Sequence, residues 1–413
     1  MSKRPTQLRA ARRSFDSRRR TPAVNHFNTY LRRGRVCALG HVSICPHGAN
    51  QINRILVVPA QLGDVLICTP LIRAARTRWP DARIDVLGFT ETLDLLAGNP
   101  DICACIEVSR SLSLMAQLLQ AASLWRRYDL AFVTRTTDRA HLYGLVAARH
   151  RSGLVPRHGP GSRWKRRITQ HCFVPQDGGH YVLRKLQLIG PWSDLPASVS
   201  LVPPPAQRLP SHLESQLRHP RVIVHVPSSW RYKQWPVAHY RLLVERLLAD
   251  GVQVVLTGSA SSHDRSLVDG VRDVGNPPAL LDVAGQLSLS QVRSLLEGAD
   301  AYVGPDSSVT HLAAAIGVPI VALYGPSLPD AFGPWPNGHA PTQPWLRRAQ
   351  RQQEGNIVLL QGGDLPGKTC VPCAGMGCEN RHVSASHCLE TLAPELVLTE
   401  LRSILRAGDS NHG

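Results

Sequence analysis

Short apolar runs alternate with stretches of helical pattern along most of this chain, and that alternation limits the fold more than any other feature. The first run, residues 55–58 (Ile-Leu-Val-Val), contains no polar side chain, which is typical of a parallel strand buried on both faces. Strand-like segments follow at 83–88, 102–108 and 128–133, and a helical stretch covers 112–127. This succession predicts a doubly wound α/β domain.

A Pro-rich segment at 195–210 interrupts the pattern, and the same alternation then restarts. Strands are predicted at 222–226, 252–256, 301–304 and 319–324, with helices at 237–249 and 311–316. The 413 residues also exceed the length, roughly 250 to 300 residues, at which single cores stop growing. We therefore predict two successive α/β domains, 51–205 and 206–413, with a cleft between them.

The formal charge of +17 is concentrated at the N-terminus, where residues 1–50 hold eleven Lys or Arg and one acid, Asp16. This segment lacks clear hydrophobic periodicity and the apolar centre of a signal peptide, so we predict a basic, disordered extension. A solvated tail and attraction to an anionic membrane surface both fit it. We expect no nucleic-acid binding, because no recognised nucleic-acid module accompanies the charge.

Two further features of the sequence indicate the cellular compartment in which we expect the protein. No run approaches the ~18 uninterrupted apolar residues needed to span a bilayer, so we expect a soluble or peripheral protein. Ten scattered cysteines fit a reducing compartment better than a disulfide framework.

Polar loops follow the first strand of each predicted domain. Gly63 and Asp64 come just after the first strand, at the end of an α/β sheet where ligands bind. Asp64 faces the predicted cleft, although capping of the next helix is an equally simple role. In the second domain the loop 226–236 combines Ser228 and Ser229 with Lys233, a cradle suited to a diphosphate. Surface solvation is the alternative for Lys233.

A third loop leads from the strand at 301–304 into a helix. It contains Asp306, Ser307, Ser308, Thr310 and His311. Small hydroxyl residues at a helix N-terminus favour phosphate oxygens, because free amides and the helix dipole point toward them. The alternatives are that Asp306 or Ser307 only caps the helix and that His311 is a core histidine.

Taken in order, these segments resemble glycosyltransferase family 9, the bacterial lipopolysaccharide heptosyltransferases, over about residues 54 to 400. The matching motifs are Gly63-Asp64 with Thr69-Pro70, Tyr128-Asp129, Lys233 with Trp235-Pro236, Asp306-Ser307 with His311 to Ala315, and Leu323 to Pro326. The resemblance implies the GT-B architecture: two Rossmann-like domains whose parallel sheets face a central cleft. The acceptor would bind mainly to the first domain and ADP-heptose mainly to the second.

The resemblance also implies roles for individual residues. Asp64 would be the general base for one-step, inverting attack by the acceptor hydroxyl. Lys233, with Ser228 and Ser229, would neutralise the leaving diphosphate without a catalytic metal. Donor binding would fall to Asp306, Ser307, Ser308, Thr310 and His311.

Three departures from the family pattern concern the substrates. The loop 59–61 lacks the basic residue expected there, which leaves contacts to donor or acceptor open. After Thr257-Gly258, where relatives present a glutamate to the donor ribose, Asp264 is the nearest substitute, so another sugar or nucleotide stays open. Ser308 stands where the motif commonly has Gly.

Basic residues between the later elements of the first domain include Arg163, Lys165 and Arg166. An acidic, phosphorylated acceptor would favour them, and a solvated loop is the alternative. Near the C-terminus, four thiols have a spacing that permits a structural zinc site away from the catalytic centre, and free thiols are the alternative. They are Cys370, Cys373, Cys378 and Cys388.

The sequence thus predicts an inverting heptosyltransferase acting on a lipopolysaccharide core or related glycan, at the cytoplasmic face of the inner membrane. One alternative uses another nucleotide sugar for O-antigen or protein glycosylation. The other is a non-catalytic nucleotide-binding protein.

Overall fold

A computed structural model of the protein describes residues 52–59, 65–89, 93–108, 114–159, 161–175, 178–274 and 278–409. The predictions for the extension 1–50 and for Asp64 lie outside these ranges. Within them the chain forms two lobes, each built on its own sheet.

The first lobe carries a fully parallel six-stranded sheet. Its strands are β1 (Arg54–Val58), β2 (Arg83–Gly88), β3 (Ala104–Glu107), β4 (Tyr128–Val133), β5 (Ala148–Leu154) and β6 (His171–Phe173). Its helices are α1 (Thr69–Arg78), α2 (Leu114–Ser123), α3 (Asp138–Ala147), α4 (Ser162–Ile168) and α5 (Tyr181–Leu186), with 3-10 turns at Asp94–Leu96 and Gln187–Ile189. The strand order is β3-β2-β1-β4-β5-β6.

The second lobe carries seven strands. They are β7 (Arg221–His225), β8 (Gln253–Thr257), β9 (Leu280–Asp282), β10 (Ala301–Pro305), β11 (Ile320–Tyr324), β12 (Arg351–Glu354) and β13 (Ile357–Gln361). The helices are α6 (Ser211–Glu214), α7 (Val237–Ala249), α8 (Ser262–Arg272), α9 (Leu289–Glu297), α10 (Ser308–Ile316), α11 (Pro329–Phe332), α12 (His387–Glu390) and α13 (Pro394–Asp409), with a 3-10 turn at Arg231–Lys233. The order is β12-β13-β11-β10-β7-β8-β9, and only β12 runs antiparallel to its neighbour.

Both sheets repeat the same connection pattern. Setting the antiparallel edge strand β12 aside, β9-β8-β7-β10-β11-β13 has the order of the first sheet. In such sheets the chain reverses its direction of progress between the first and fourth strands, and ligands bind beside that switch point at the carboxyl ends. The predicted fold class, an α/β protein with two Rossmann-like parallel sheets, is confirmed.

The cores follow from the apolar patterns that the sequence shows. All five residues of β7 are buried, as expected for a central strand covered on both faces. Helix α7 buries Tyr240, Leu243, Val244 and Leu247 against the sheet, which is one face at helical spacing. The C-terminal helix α13 packs beside α7, and its apolar residues form part of the second core.

A buried histidine connects the two lobes. His180, the residue before α5, donates Nε2–H to the Gly333 carbonyl of the second lobe at 2.7 Å. Its Nδ1 accepts the Val182 amide at 3.2 Å. Burial lowers the pKa of His180 to about 3, with smaller contributions from His311, Arg184 and Lys185. The imidazole is therefore neutral and oriented by one hydrogen bond to each lobe.

Candidate functional site

The switch point of the second sheet brings together a cation and a carboxylate. Strands β7 and β10 are parallel neighbours, and Lys233 follows one while Asp306 follows the other. Lys233 Nζ lies 2.7 Å from Asp306 Oδ2. The Asp306 side chain is only 8% exposed, whereas that of Lys233 is 23% exposed. The charge pair thus lies where the fold leaves room for a ligand.

The carboxylate of Asp306 is held in its ionised form. Burial alone would raise the pKa of Asp306, but the charges of Lys233 and His311 lower it, as do hydrogen bonds from Lys233 and Ser327. The net result is a pKa below the ordinary value. A buried, ionised carboxylate can accept hydrogen bonds from sugar hydroxyls.

The N-terminus of α10 is tightly organised around Thr310. Ser307 is the N-cap, and its Oγ accepts the Thr310 amide. The Thr310 hydroxyl, which is fully buried, bonds the Pro305 carbonyl and lies 2.9 Å from the Tyr302 hydroxyl. Thr310 therefore stabilises the loop that precedes α10 through buried hydrogen bonds. The capping role that the sequence left open for Ser307 is present in the structure.

His311 and Ser308 occupy different environments on the same helix. His311 is buried and close enough to both Asp306 and His180 to influence their pKa values. Ser308 is partly exposed at the first helical position. Its backbone amide is among those that a helix leaves without an intrahelical acceptor.

The loop after β7 exposes one serine and buries the other. Ser228 is buried, and its carbonyl accepts Gln234 Nε2 at 2.8 Å, while Ser229 is exposed. Gln234 Nε2 also lies 2.8 Å from His263 Nε2, at the start of α8. These contacts fix the path of the loop that carries Lys233.

Asp264, the proposed substitute for a ribose-binding glutamate, lies in the first turn of α8. Its Oδ2 accepts the Ser259 amide at 2.9 Å, and its own amide donates to the Ser261 hydroxyl. The Asp264 carboxylate thus stabilises the loop between β8 and α8. Strand β8 pairs with β7, the strand that precedes the loop carrying Lys233.

A pocket of about 230 Å³ opens at the carboxyl ends of the first sheet. Its lining is mostly apolar and comprises Val58, Pro59, Leu87, Gly88, Phe89, Val108, Arg135, Thr137, Arg139, Ala140 and Tyr143. Pro59 leads toward the loop 60–64 that contains Asp64 and lies outside the described residues. Sequence reasoning missed Arg135 and Arg139, although Arg135 lies two residues after a predicted strand and Arg139 in the first turn of the helix that follows. Position after a strand is the signal that could have identified them.

A family model of glycosyltransferase family 9 (heptosyltransferase) matches residues 120–357, more than half of the chain. The chain belongs to glycosyltransferase family 9. The predicted family is thereby confirmed, and the protein is a glycosyltransferase.

Curated relatives cover most of this family 9 chain. It is 27% identical over 289 residues to a lipopolysaccharide heptosyltransferase 3 of Escherichia coli, covering 67% of the chain and 84% of the relative. It is 26% identical over 393 residues to lipopolysaccharide heptosyltransferase 1 of Pseudomonas aeruginosa, covering 86% of the chain and 99% of the relative.

Solved structures share the GT-B fold of the family. The structure of E. coli ADP-heptose LPS heptosyltransferase II has a TM-score of 0.63 at 24% identity, over 87% of this chain and 100% of that one. E. coli heptosyltransferase WaaC, solved with ADP, has a TM-score of 0.59 at 16% identity, over 85% and 99%. At these identities the likeness concerns the fold.

The three cations that the sequence offered as acceptor contacts differ in accessibility. Lys165 is buried, 2.7 Å from Asp138 Oδ1 and 2.6 Å from the Thr136 carbonyl. Arg166 donates to the Pro156 and Arg157 carbonyls and is partly buried, whereas Arg163 is exposed. The structure thus ties Lys165 and Arg166 into the lobe and leaves Arg163 facing solvent.

The segment 370–388, which contains the four clustered thiols, contacts the loops that follow β7 and β11. Ser386 Oγ donates to the Tyr232 carbonyl at 2.7 Å, and the Ala374 amide donates to the Pro326 carbonyl at 2.9 Å. Across the described residues, no group of three or more His, Cys, Asp or Glu side chains is arranged to hold a metal ion. The zinc site at Cys370, Cys373, Cys378 and Cys388 finds no support there and stays a prediction.

Of the helices that the structure describes, none combines the length and the apolar character that crossing a bilayer requires.

Proposed function

We propose that this family 9 enzyme transfers a heptose from ADP-heptose to a lipopolysaccharide core acceptor, at the cytoplasmic face of the inner membrane. The observation that supports it most is the Lys233–Asp306 pair at the switch point of the second sheet, where a nucleotide-sugar would bind. The names of the relatives point to the same donor and acceptor.

The residues divide into a donor side and an acceptor side. Lys233 and the free amides of α10 would hold the diphosphate, with Ser228, Ser229, Ser307 and Ser308 nearby. Asp306, already ionised, would accept hydrogen bonds from the transferred sugar. Asp264 would serve the ribose. Arg135 and Arg139 in the first-lobe pocket would contact an anionic acceptor.

The reaction is a single displacement with inversion. The acceptor hydroxyl gives its proton to Asp64, and its oxygen forms a bond to the anomeric carbon of the donor sugar. The bond from that carbon to the diphosphate breaks, and its electron pair leaves on the diphosphate. Lys233 and the helix amides stabilise the charge that develops on the diphosphate. These groups therefore stabilise the transition state more than they stabilise the bound donor.

A donor-binding experiment tests this function. Purified protein is titrated with ADP, UDP, GDP and CMP sugars by calorimetry. We expect ADP-heptose to bind at least tenfold more tightly than the other sugars. A preference for a UDP or GDP sugar would overturn the heptose assignment and favour the alternative of O-antigen or protein glycosylation, with the fold unchanged.

A further inference from the structure

Large apolar side chains are exposed on two neighbouring helices of the first lobe and on the turn after the first of them. Met115 and Leu119 on α2 are each 65% exposed, Trp125 just after α2 is 64% exposed, and Leu142 on α3 is 51% exposed. Leu145 on α3 is also exposed. Single exposed apolar residues need no explanation, but a contiguous group on a soluble surface marks an interaction site.

These side chains lie on adjoining elements. Met115 and Leu119 are one helical turn apart, as are Leu142 and Leu145. Helix α2 packs beside α3, where Tyr143 donates to Gln120 Oε1 at 3.3 Å. The Arg126 amide also bonds the Val146 carbonyl at the end of α3, at 2.9 Å. We call the exposed face of α2, residues 124–127 and α3 the helical face.

Arginines outnumber acidic residues around the helical face, where Asp138 and Glu107 are exposed. Segments 114–127 and 138–150 contain one acid, Asp138, and four arginines, of which Arg139 lines the first-lobe pocket. Arg126, Arg127 and Arg149 are exposed, and the Arg126 guanidinium lies 5.7 Å from the Trp125 ring centre. Asp138, which opens α3, is paired with the buried Lys165. The apolar side chains are therefore accompanied by three exposed arginines, while the exposed carboxylate of Asp138 pairs with Lys165.

An anionic bilayer is the partner that suits this combination. Apolar side chains enter the headgroup boundary, arginines meet lipid phosphates, and tryptophan favours the interface between the two. We propose that the helical face docks the first lobe on an anionic phospholipid surface.

The position of α3 gives this docking a consequence for the enzyme. Arg139, Ala140 and Tyr143 line the first-lobe pocket, while Leu142 and Leu145 point the other way, to solvent. One helix therefore separates the pocket from the proposed membrane surface. The inference goes beyond the proposed function, since docking is independent of which nucleotide sugar is used.

Vesicle co-sedimentation of the full chain tests the proposal. The first variant replaces three apolar side chains of the helical face (Leu119→Ser, Trp125→Ser, Leu142→Ser), and the second reverses two charges (Arg126→Glu, Arg127→Glu). We expect the wild type to sediment with phosphatidylglycerol-containing vesicles and not with phosphatidylcholine alone. Each variant should bind at least tenfold more weakly.

Two control variants carry substitutions of the same kind, two in each, on exposed residues of the second lobe. They are Leu346→Ser with Leu396→Ser, and Arg347→Glu with Lys368→Glu. We expect their partition coefficients to stay within about twofold of the wild type. Equal losses in test and control variants would contradict docking through the helical face, because bulk charge or the basic N-terminal extension would then explain binding.

Tryptophan quenching gives a second measurement that the N-terminal extension does not affect, because residues 1–50 contain no Trp. Vesicles with brominated acyl chains should quench part of the wild-type emission, and Trp125→Phe should lose that part. Unquenched emission in the wild type would overturn the proposal. So would light scattering that shows the three apolar substitutions breaking up an oligomer in the absence of lipid, because the face would then bind another copy of the chain.

Discussion

The ammonium group of Lys233 lies 2.7 Å from the carboxylate of Asp306, although the two residues belong to different strand-and-loop units. Each compensates the charge of the other in a partly buried site. A donor diphosphate that binds Lys233 would therefore share this cation with Asp306. The Asp306 carboxylate could still accept hydrogen bonds from the sugar hydroxyls.

Replacing Lys233 by Met should remove the positive charge that meets the leaving diphosphate. We expect kcat to fall by roughly 10²- to 10³-fold, as for loss of one oriented electrostatic group. Release of nucleoside diphosphate at saturating donor measures it. Lys368→Met, an exposed lysine of the same lobe, is the control and should leave kcat unchanged. A Lys233→Met enzyme within tenfold of wild type would exclude the leaving-group role.

Asp64→Asn should separate chemistry from donor binding. Since the amide cannot take the acceptor proton, we expect kcat to drop about 10²- to 10⁴-fold. Calorimetric affinity for the donor should change less than about threefold, because the proposed donor groups lie in the second lobe. Normal turnover in this variant would rule Asp64 out as the general base.

Thr310→Val tests whether this predicted donor residue is in fact a support for the loop. Its buried hydroxyl bonds Pro305 and Tyr302, so we expect about 1–3 kcal/mol lower unfolding free energy in urea. Donor affinity of the folded protein should be nearly unchanged. A large loss of affinity with normal stability would instead assign Thr310 to direct donor binding.

Arg135→Ala should weaken acceptor use without affecting the donor. Arg135 lines the first-lobe pocket, so we expect the acceptor KM to rise roughly tenfold, the loss of about one charge-assisted hydrogen bond, with the donor KM constant. Arg163→Ala is the informative comparison, because Arg163 is exposed and was the sequence-based choice. A larger effect at Arg163 would place the acceptor on α4 instead.

His180 should make stability depend on pH in the acid range. The pKa of His180 is about 3 when folded and near 6.5 when unfolded, so protons bind the unfolded chain preferentially below pH 6.5. The contribution of His180 to the free energy of unfolding is complete above pH 6.5 and is lost as the pH falls toward 3. The unfolding free energy changes by at most about 1.4 kcal/mol per pH unit. Urea unfolding between pH 7 and 5 should show that the unfolding free energy of His180→Gln changes less steeply with pH than that of the wild type. Parallel slopes would contradict the neutral, buried imidazole.

Much of the architecture followed from local pattern. The strands at β1, β2, β4 and β7 and the helix α7 were predicted because each is a buried run or a regular helical face. Strands β5 and β12 were not, since arginines, glutamines and a histidine interrupt their apolar pattern. Their place in the sheets comes from pairing with neighbouring strands.

By itself, the sequence determined the family, the two-sheet fold and the loops that carry polar residues, because these depend on residue order and on hydrophobicity over short distances. Only the tertiary structure decided which polar groups meet. Strand order joins Lys233 to Asp306, and packing buries Thr310 and Lys165 while placing Arg135 in a pocket. Contacts between residues distant in the chain depend on how the sheets assemble, and no local pattern encodes that.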